Sequence, residues 1–150
     1  MNFKFVPITL EYAREIGSWK YEGEMDEDIL MNPYFVTFEE TGILKGPGGC
    51  DGYVAFLDNQ LSGLFEFIVK ESIIEIGLAL NPKLVGKGFG AEFVNQGIEF
   101  GVQHYDTNLE YIKLVVNPNN KAAIRVYEKT GFEKIVQSSD EIEMRRDLQK

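Results

Sequence analysis

Three groups of residues have the types and spacing to do chemistry. The first is Asn120 and Tyr127, seven positions apart in a stretch that begins at the turn Asn117-Pro118-Asn119-Asn120 and ends at Gly131. A helix over Lys121 to Thr130 puts seven residues at about two turns, so both side chains project from one face and one ligand can touch both. An ordinary phenol, with a pKa of about 10, holds its proton at neutral pH and can give it to a leaving group. The plainer alternative is a core aromatic with its hydroxyl at the surface.

The second group is the alternating Gly86, Gly88 and Gly90 within Asn81-Pro82-Lys83-Leu84-Val85-Gly86-Lys87-Gly88-Phe89-Gly90. Glycines permit positive φ and carry no Cβ to block a ligand. The stretch opens a helix whose first N–H groups and dipole, with Lys87 beside them, favour an anion. This is the chemistry of a phosphate cradle, or else of a flexible turn whose glycines serve close packing. The string G-x-x-x-x-G-K-[ST] is absent, and G-x-G-x-G differs from the dinucleotide fingerprint G-x-G-x-x-G. The third group is two carboxylates, Glu66 and Glu75, each inside a run that reads as a strand.

Other chemistries find little support. One Cys (Cys50) and one His (His104) make a Cys/His metal site implausible. Cys50 lies in a glycine-rich loop with no activating partner near it in sequence, and His104 reads as a charge partner for a helix C-terminus. A formal net charge of −9 argues against nucleic acid and suits a cationic partner. No apolar run approaches the length of a membrane span and the first residues lack a signal peptide's apolar segment, so a cytoplasmic protein is expected. At 150 residues, 44% hydrophobic with 11 Phe and 7 Tyr, residues 1–150 are expected to form a single folded domain, as a monomer or homodimer.

The elements that must position these groups follow from periodicity. Phe3 to Ile8 alternates as a strand, and Thr9 caps a helix through Gly17 with Leu10, Ala13 and Ile16 inward. Aromatics and acids over Ser18 to Tyr34 suggest a second helix, Phe35 to Phe38 a short strand, and Thr41 to Cys50 a loop rich in breakers. Gly52 to Leu57 and Leu61 to Val69 flank Asp58-Asn59-Gln60 as a hairpin, with Ile73 to Leu80 following antiparallel. After the turn, Phe89, Phe93, Gly97 and Gly101 recur every four residues beside Val94, Ile98 and Val102, an amphipathic helix. Then come a strand over Tyr111 to Val116, the helix ending at Gly131 as a left-handed cap, and a hairpin of Phe132 to Gln137 and Glu141 to Leu148. The fold class expected is mixed α/β.

Val85-Gly86-Lys87-Gly88-Phe89-Gly90 resembles the acetyl-CoA-binding motif of the GNAT superfamily of N-acetyltransferases, Arg/Gln-x-x-Gly-x-Gly/Ala, with Val85 where Arg or Gln is usual. Asn120 to Phe132 resembles the same superfamily's Asn-x-x-Ala-x-x-x-Tyr-x-x-x-Gly-Phe. The resemblance implies a mostly antiparallel twisted sheet of about six to seven strands flanked by about four helices. It implies acetyl-CoA as co-substrate, no metal, and transfer to a primary amine of a small molecule or a protein or peptide N-terminus, in a bacterial acyltransferase. The pyrophosphate would meet Gly86, Lys87, Gly88, Phe89, Gly90 and Ala91; the pantetheine would meet Leu78, Ala79 and Leu80, on a strand that splays from its neighbour at a bulge, and Asn120. Tyr127 would protonate the leaving thiolate. An acceptor amine is mostly ammonium at neutral pH and needs a base. The position five before Asn120, where related enzymes often carry Glu, is Val115. Glu75, on the strand before the cradle, is preferred, with Glu66 or solvent as alternatives. The acceptor would be chosen by Ser18 to Cys50 and by the closing hairpin. The rival class is a non-catalytic acyl-CoA-binding or regulatory module.

Overall fold

The structure, a computed structural model, describes residues 2–21, 31–105 and 108–148. Its elements run β1 (Lys4–Pro7), α1 (Leu10–Gly17), α2 (Asn32–Thr41), β2 (Asp51–Leu57), β3 (Gln60–Lys70), β4 (Ile73–Leu80), α3 (Gly90–Tyr105), β5 (Tyr111–Val116), α4 (Lys121–Lys129), β6 (Glu133–Gln137) and β7 (Ile142–Asp147). Seven strands form one sheet in the order β1-β2-β3-β4-β5-β7-β6, antiparallel except for β4 against β5. This is the mixed α/β architecture and the mostly antiparallel sheet that the sequence led us to expect.

The β2–β3 hairpin turns on Asp58 (φ 52°) and Asn59 (φ 65°), both in the left-handed region that suits the twist of paired strands. Helices α3 and α4 pack on one face of the sheet, where Phe65, Phe67, Ile74 and Ile76 meet Phe93, Val94, Ile98, Ile124 and Tyr127. On the other face α1 and α2 bring Ala13, Ile16 and Tyr34 against Val54 and Leu64. The four-residue glycine spacing of α3 now has a reason: a Cβ at Gly97 would lie 2.1 Å from the Phe65 ring, and one at Gly101 would lie 2.4 Å from Phe67. Because Phe65 is completely buried, it cannot swing aside. Gly97→Ala is therefore expected to cost about 1–3 kcal/mol of stability by overpacking, although alanine is the better helix former, as a urea titration would read.

The sequence reading fails in one stretch. Residues 35–38, expected as a strand, belong to helix α2. Pro33 in its first turn presets the helical φ, and Gly42 (φ 79°) caps it, donating its N–H to the Phe38 carbonyl. The Thr37 hydroxyl gives its proton to the Pro33 carbonyl (2.8 Å) and accepts from the Lys45 N–H (3.1 Å), tying the helix to the following loop. Caps and tertiary contact outweigh the β propensity of Phe-Val-Thr-Phe. The helix expected over Ser18 to Tyr34 falls largely on residues 22–30, outside those described; residues 18–21 carry no helix. Among the described residues, no helix is long and apolar enough to cross a membrane.

Candidate active site

The site begins where two strands part. Strand β4 pairs with β5 only at Ile73–Tyr111, Ile74–Ile112 and Glu75–Lys113, although β4 continues to Leu80 and β5 to Val116. Beyond that point the strands diverge around a cleft of about 1070 Å³, lined from one side by Ile76 to Leu80 and from the other by Leu114 to Asn117. The β3–β4 register runs without a shift, so the opening comes from the departure of β5 rather than from a bulge in β4. Asn81 donates its N–H to Ser62 of the β3 side (2.8 Å). By alternation the amides of Leu78 and Leu80 turn the other way, into the gap. A free strand edge of this kind can take an extended polyamide ligand by adding it as a strand. Ala79 also lines the cleft.

One end of the gap is closed by the glycine turn. Asn81 accepts from the Lys83 N–H (2.9 Å) and holds a single 3₁₀ turn, Pro82–Leu84, after which Gly86 (φ 77°) and Gly88 (φ 86°) take left-handed backbone. A Cβ at either would meet nothing within 4 Å, so both glycines face open space. Helix α3 then starts at Gly90. Gly86, Gly88, Gly90 and Ala91 line the cleft, so the turn and helix N-terminus meet it together. Gly90 serves a second purpose: its φ is not left-handed, and a Cβ there would press on Val126 at 3.2 Å, so it lets α3 approach α4. Lys87 is exposed and Phe89 half-buried against the core, and neither lines the cleft. If the turn is a phosphate cradle, a folded Gly88→Val variant loses acetyl-CoA affinity by about tenfold or more in calorimetry, from backbone strain and an obstructing side chain. Lys87→Ala costs less than about threefold, since a solvated ammonium adds little.

The opposite wall carries α4. Asn120 caps it, its Oδ1 accepting the Ala123 N–H at 3.2 Å, which leaves the Nδ2 amide as the donor for a ligand. Tyr127, 9% exposed, stands against Phe132 edge to face at 5.9 Å. Gly131 (φ 101°) ends the helix and returns Phe132, whose N–H bonds the Tyr127 carbonyl at 2.9 Å. Asn120 and Tyr127 both line the cleft.

The two candidate carboxylates share a sheet face and separate by position. Glu66 pairs across the ladder with Gly77, in the diverging half of β4, and lines the cleft; its Oε1 sits over Gly77, 3.3 Å from where a Cβ would be. Glu75 pairs with Ile68 and Lys113 in the closed half, 4.0 Å from the Lys113 ammonium, and does not line the cleft. The geometry thus favours Glu66 over Glu75, the reverse of the preference drawn from the resemblance. Burial pushes the Glu66 carboxyl above the ordinary range, opposed by hydrogen bonds from Tyr34 and Cys50. Burial likewise pushes the Cys50 thiol up to about 12, so at neutral pH it is no nucleophile.

Two site residues went unread in the sequence. The Tyr34 hydroxyl, fully buried with its ring, donates to Glu66 Oε2 at 2.6 Å. Tyr21, at the cleft mouth, donates from its hydroxyl to the Leu80 carbonyl at 2.6 Å. The signal for Tyr34 was the pair Gly46 and Gly52, whose missing side chains make its room. His104, in the last turn of α3, bonds Tyr53 (2.8 Å) and stacks on Phe100, away from the cleft. Among the described residues no cluster of three His, Cys, Asp or Glu is placed to hold a metal ion.

Residues 11–132 match the Acetyltransferase (GNAT) family, a span that contains the glycine turn, the open strand edge and both walls of the cleft. The chain belongs to the GNAT acetyltransferase family. It is accordingly an N-acetyltransferase that uses acetyl-CoA as co-substrate. Solved GNAT structures share the fold. A chimera of the Vibrio cholerae spermidine N-acetyltransferase SpeG with hSSAT superposes with a TM-score of 0.75 at 18% identity, over 98% of this chain and 96% of that one. The Campylobacter jejuni N-acetyltransferase PseH in complex with acetyl coenzyme A gives 0.71 at 18%, over 99% and 100%. AAC(6')-Ib bound to paromomycin and acetyl-CoA gives 0.73 at 16%, over 98% and 94%. Among curated proteins no sequence match is found.

Proposed function

We propose that this GNAT protein moves the acetyl group of acetyl-CoA directly to the primary amine of a small cationic acceptor, with Glu66 as general base and Tyr127 as general acid. The observation that carries the reading is the composition of one cleft: a carboxylate on the β3 side, a phenol on the α4 side, and the glycine turn and open β4 edge at its end. Acetyl-CoA supplies the thioester. Gly86, Gly88 and the α3 N-terminus would hold its pyrophosphate, and Leu78, Leu80 and Asn120 its pantetheine arm. Glu66 takes a proton from the acceptor ammonium, directly or through a water, so that the neutral amine attacks the thioester carbonyl; a β4 amide stabilises the oxyanion, which collapses as the carbon–sulfur bond breaks and Tyr127 protonates the departing sulfur, and the extra proton on the new amide nitrogen leaves to restore the phenol.

A cationic acceptor is supported by the net charge of −9 and by the carboxylate in the cleft. Structural neighbours whose names include spermidine and an aminoglycoside support the same class. A protein or peptide N-terminus is the other acceptor class. The lone, buried Cys50 supports a cytoplasmic setting.

The test is release of free thiol from acetyl-CoA in the presence of spermidine, an aminoglycoside, or an alanine-initiated peptide, with products read by mass spectrometry. Acetylated polyamine or aminoglycoside is expected. Acetylated peptide alone would replace the acceptor class, and tight acetyl-CoA binding without thiol release would make the protein a binding module.

A further inference from the structure

Helix α2 lies on the face of the sheet that carries Leu64, Glu66 and Ile68, and it sends one polar group to the cleft. Tyr34 has no exposed surface, and its hydroxyl meets Glu66 Oε2 at 2.6 Å. The space it occupies has been cleared: a Cβ at Gly46 would fall 2.5 Å from its ring, and one at Gly52 would fall 2.3 Å from its hydroxyl. The Thr37 hydroxyl, which accepts from the Lys45 N–H, fixes α2 to the loop that carries Gly46. Cys50 Sγ lies 3.7 Å from the hydroxyl and bonds the same carboxylate.

We infer that Tyr34 is a positioning residue that clamps the Glu66 carboxylate by Oε2 and so presents Oε1, over Gly77, to the acceptor. The inference rests on the reading of Glu66 as the base. A glutamate side chain has three rotatable bonds, and a base must stand within hydrogen-bond reach of the proton it takes. Fixing one oxygen from behind leaves the other in a single place. A phenol has one proton to give, and here it goes to the carboxylate. Tyr34 and Cys50 thus both bond the carboxylate and favour its charged form. Among the described residues, the titratable groups nearest on this face include Glu75, paired with Lys113 of β5, Lys70 at the end of β3, and Tyr21, which lines the cleft. None of these is among the influences on the Glu66 carboxyl, which are burial, Tyr34 and Cys50.

The sign follows from removing a donor. Without the Tyr34 hydroxyl, burial acts less opposed and the Glu66 carboxyl takes up its proton at higher pH. In protein labelled with ¹³C-glutamate, the Glu66 carboxyl resonance, assigned by its absence from Glu66→Gln, should titrate at higher pH in Tyr34→Phe than in the wild type. With acetyl-CoA and spermidine as probes, kcat/KM of Tyr34→Phe should fall about tenfold at pH 7 and recover to within about twofold of wild type at pH 9, with KM for acetyl-CoA unmoved. A merely structural role predicts an equal loss at every pH. Cys50→Ala, which keeps the ring, should move the titration the same way by less, and it carries the test if Tyr34→Phe does not fold. An unmoved or lowered Glu66 titration overturns the inference. Wild-type turnover in Glu66→Gln would instead overturn the base, while the titration still reports whether Tyr34 holds the carboxylate.

Discussion

Tyr127→Phe is expected to lower kcat by about 10²–10⁴-fold while acetyl-CoA affinity stays within about twofold. The phenol is needed only as the carbon–sulfur bond breaks and charge collects on the thiolate, so its removal acts on the transition state and not on the bound ground state. Packing should survive, because the phenyl ring that remains still stands against Phe132 and closes the end of α4. Single-turnover kinetics beside calorimetry separate the outcomes. Full kcat would send the proton by another route. Weakened acetyl-CoA binding with kcat intact would make the hydroxyl a binding group.

Tyr127 was legible because helical spacing is a local code. Asn120, Tyr127 and Gly131 lie in one continuous helix and its two caps, where the sequence interval alone sets direction. The glycine turn was legible for the same reason, since Gly86 and Gly88 announce left-handed backbone wherever the chain places them. Gly90, which also lines the cleft, has a second purpose that spacing did not show: it gives way to Val126, a partner 36 positions on that no local pattern names. The hairpins and α3 followed from periodicity. Helix α2 did not, because its four-residue run of aromatic and β-branched residues favours a strand while Pro33, Gly42 and the Thr37–Lys45 bonds decide otherwise. Tyr34 was hidden for a related reason: its meeting with Glu66 spans 32 positions and depends on two glycines, Gly46 read as part of a loop and Gly52 as the start of a strand. Strand alternation correctly put Glu66 and Glu75 on one face. What it lacks is the point along β4 where β5 departs, which is set by pairing between strands 38 residues apart at Glu75 and Lys113.

That point of departure makes the contrast between the two carboxylates the sharpest test of the site. Glu66→Gln is expected to reduce kcat/KM by about 10²–10³-fold at neutral pH with a spermidine probe, and to abolish the acid limb of its pH profile. In the wild type, burial holds the Glu66 carboxyl above the ordinary carboxylate range, so activity is lost as the pH falls through that raised value and is present above it. Glutamine keeps the shape and a hydrogen-bond acceptor for Tyr34 but takes up no proton, so the rate that remains should follow only the fraction of neutral amine. The amine itself titrates higher, at about 8 to 10, and gives the profile its second rise whichever group is the base. Glu75→Gln should stay within about twofold and keep the acid limb, because its carboxylate stands in the closed half of the ladder against Lys113. The reverse pattern, with the limb lost in Glu75→Gln and kept in Glu66→Gln, would move the base to the strand before the cradle and require Glu75 to reach the acceptor through ordered water. Unchanged profiles in both variants would leave proton removal to solvent, with the cleft contributing position alone.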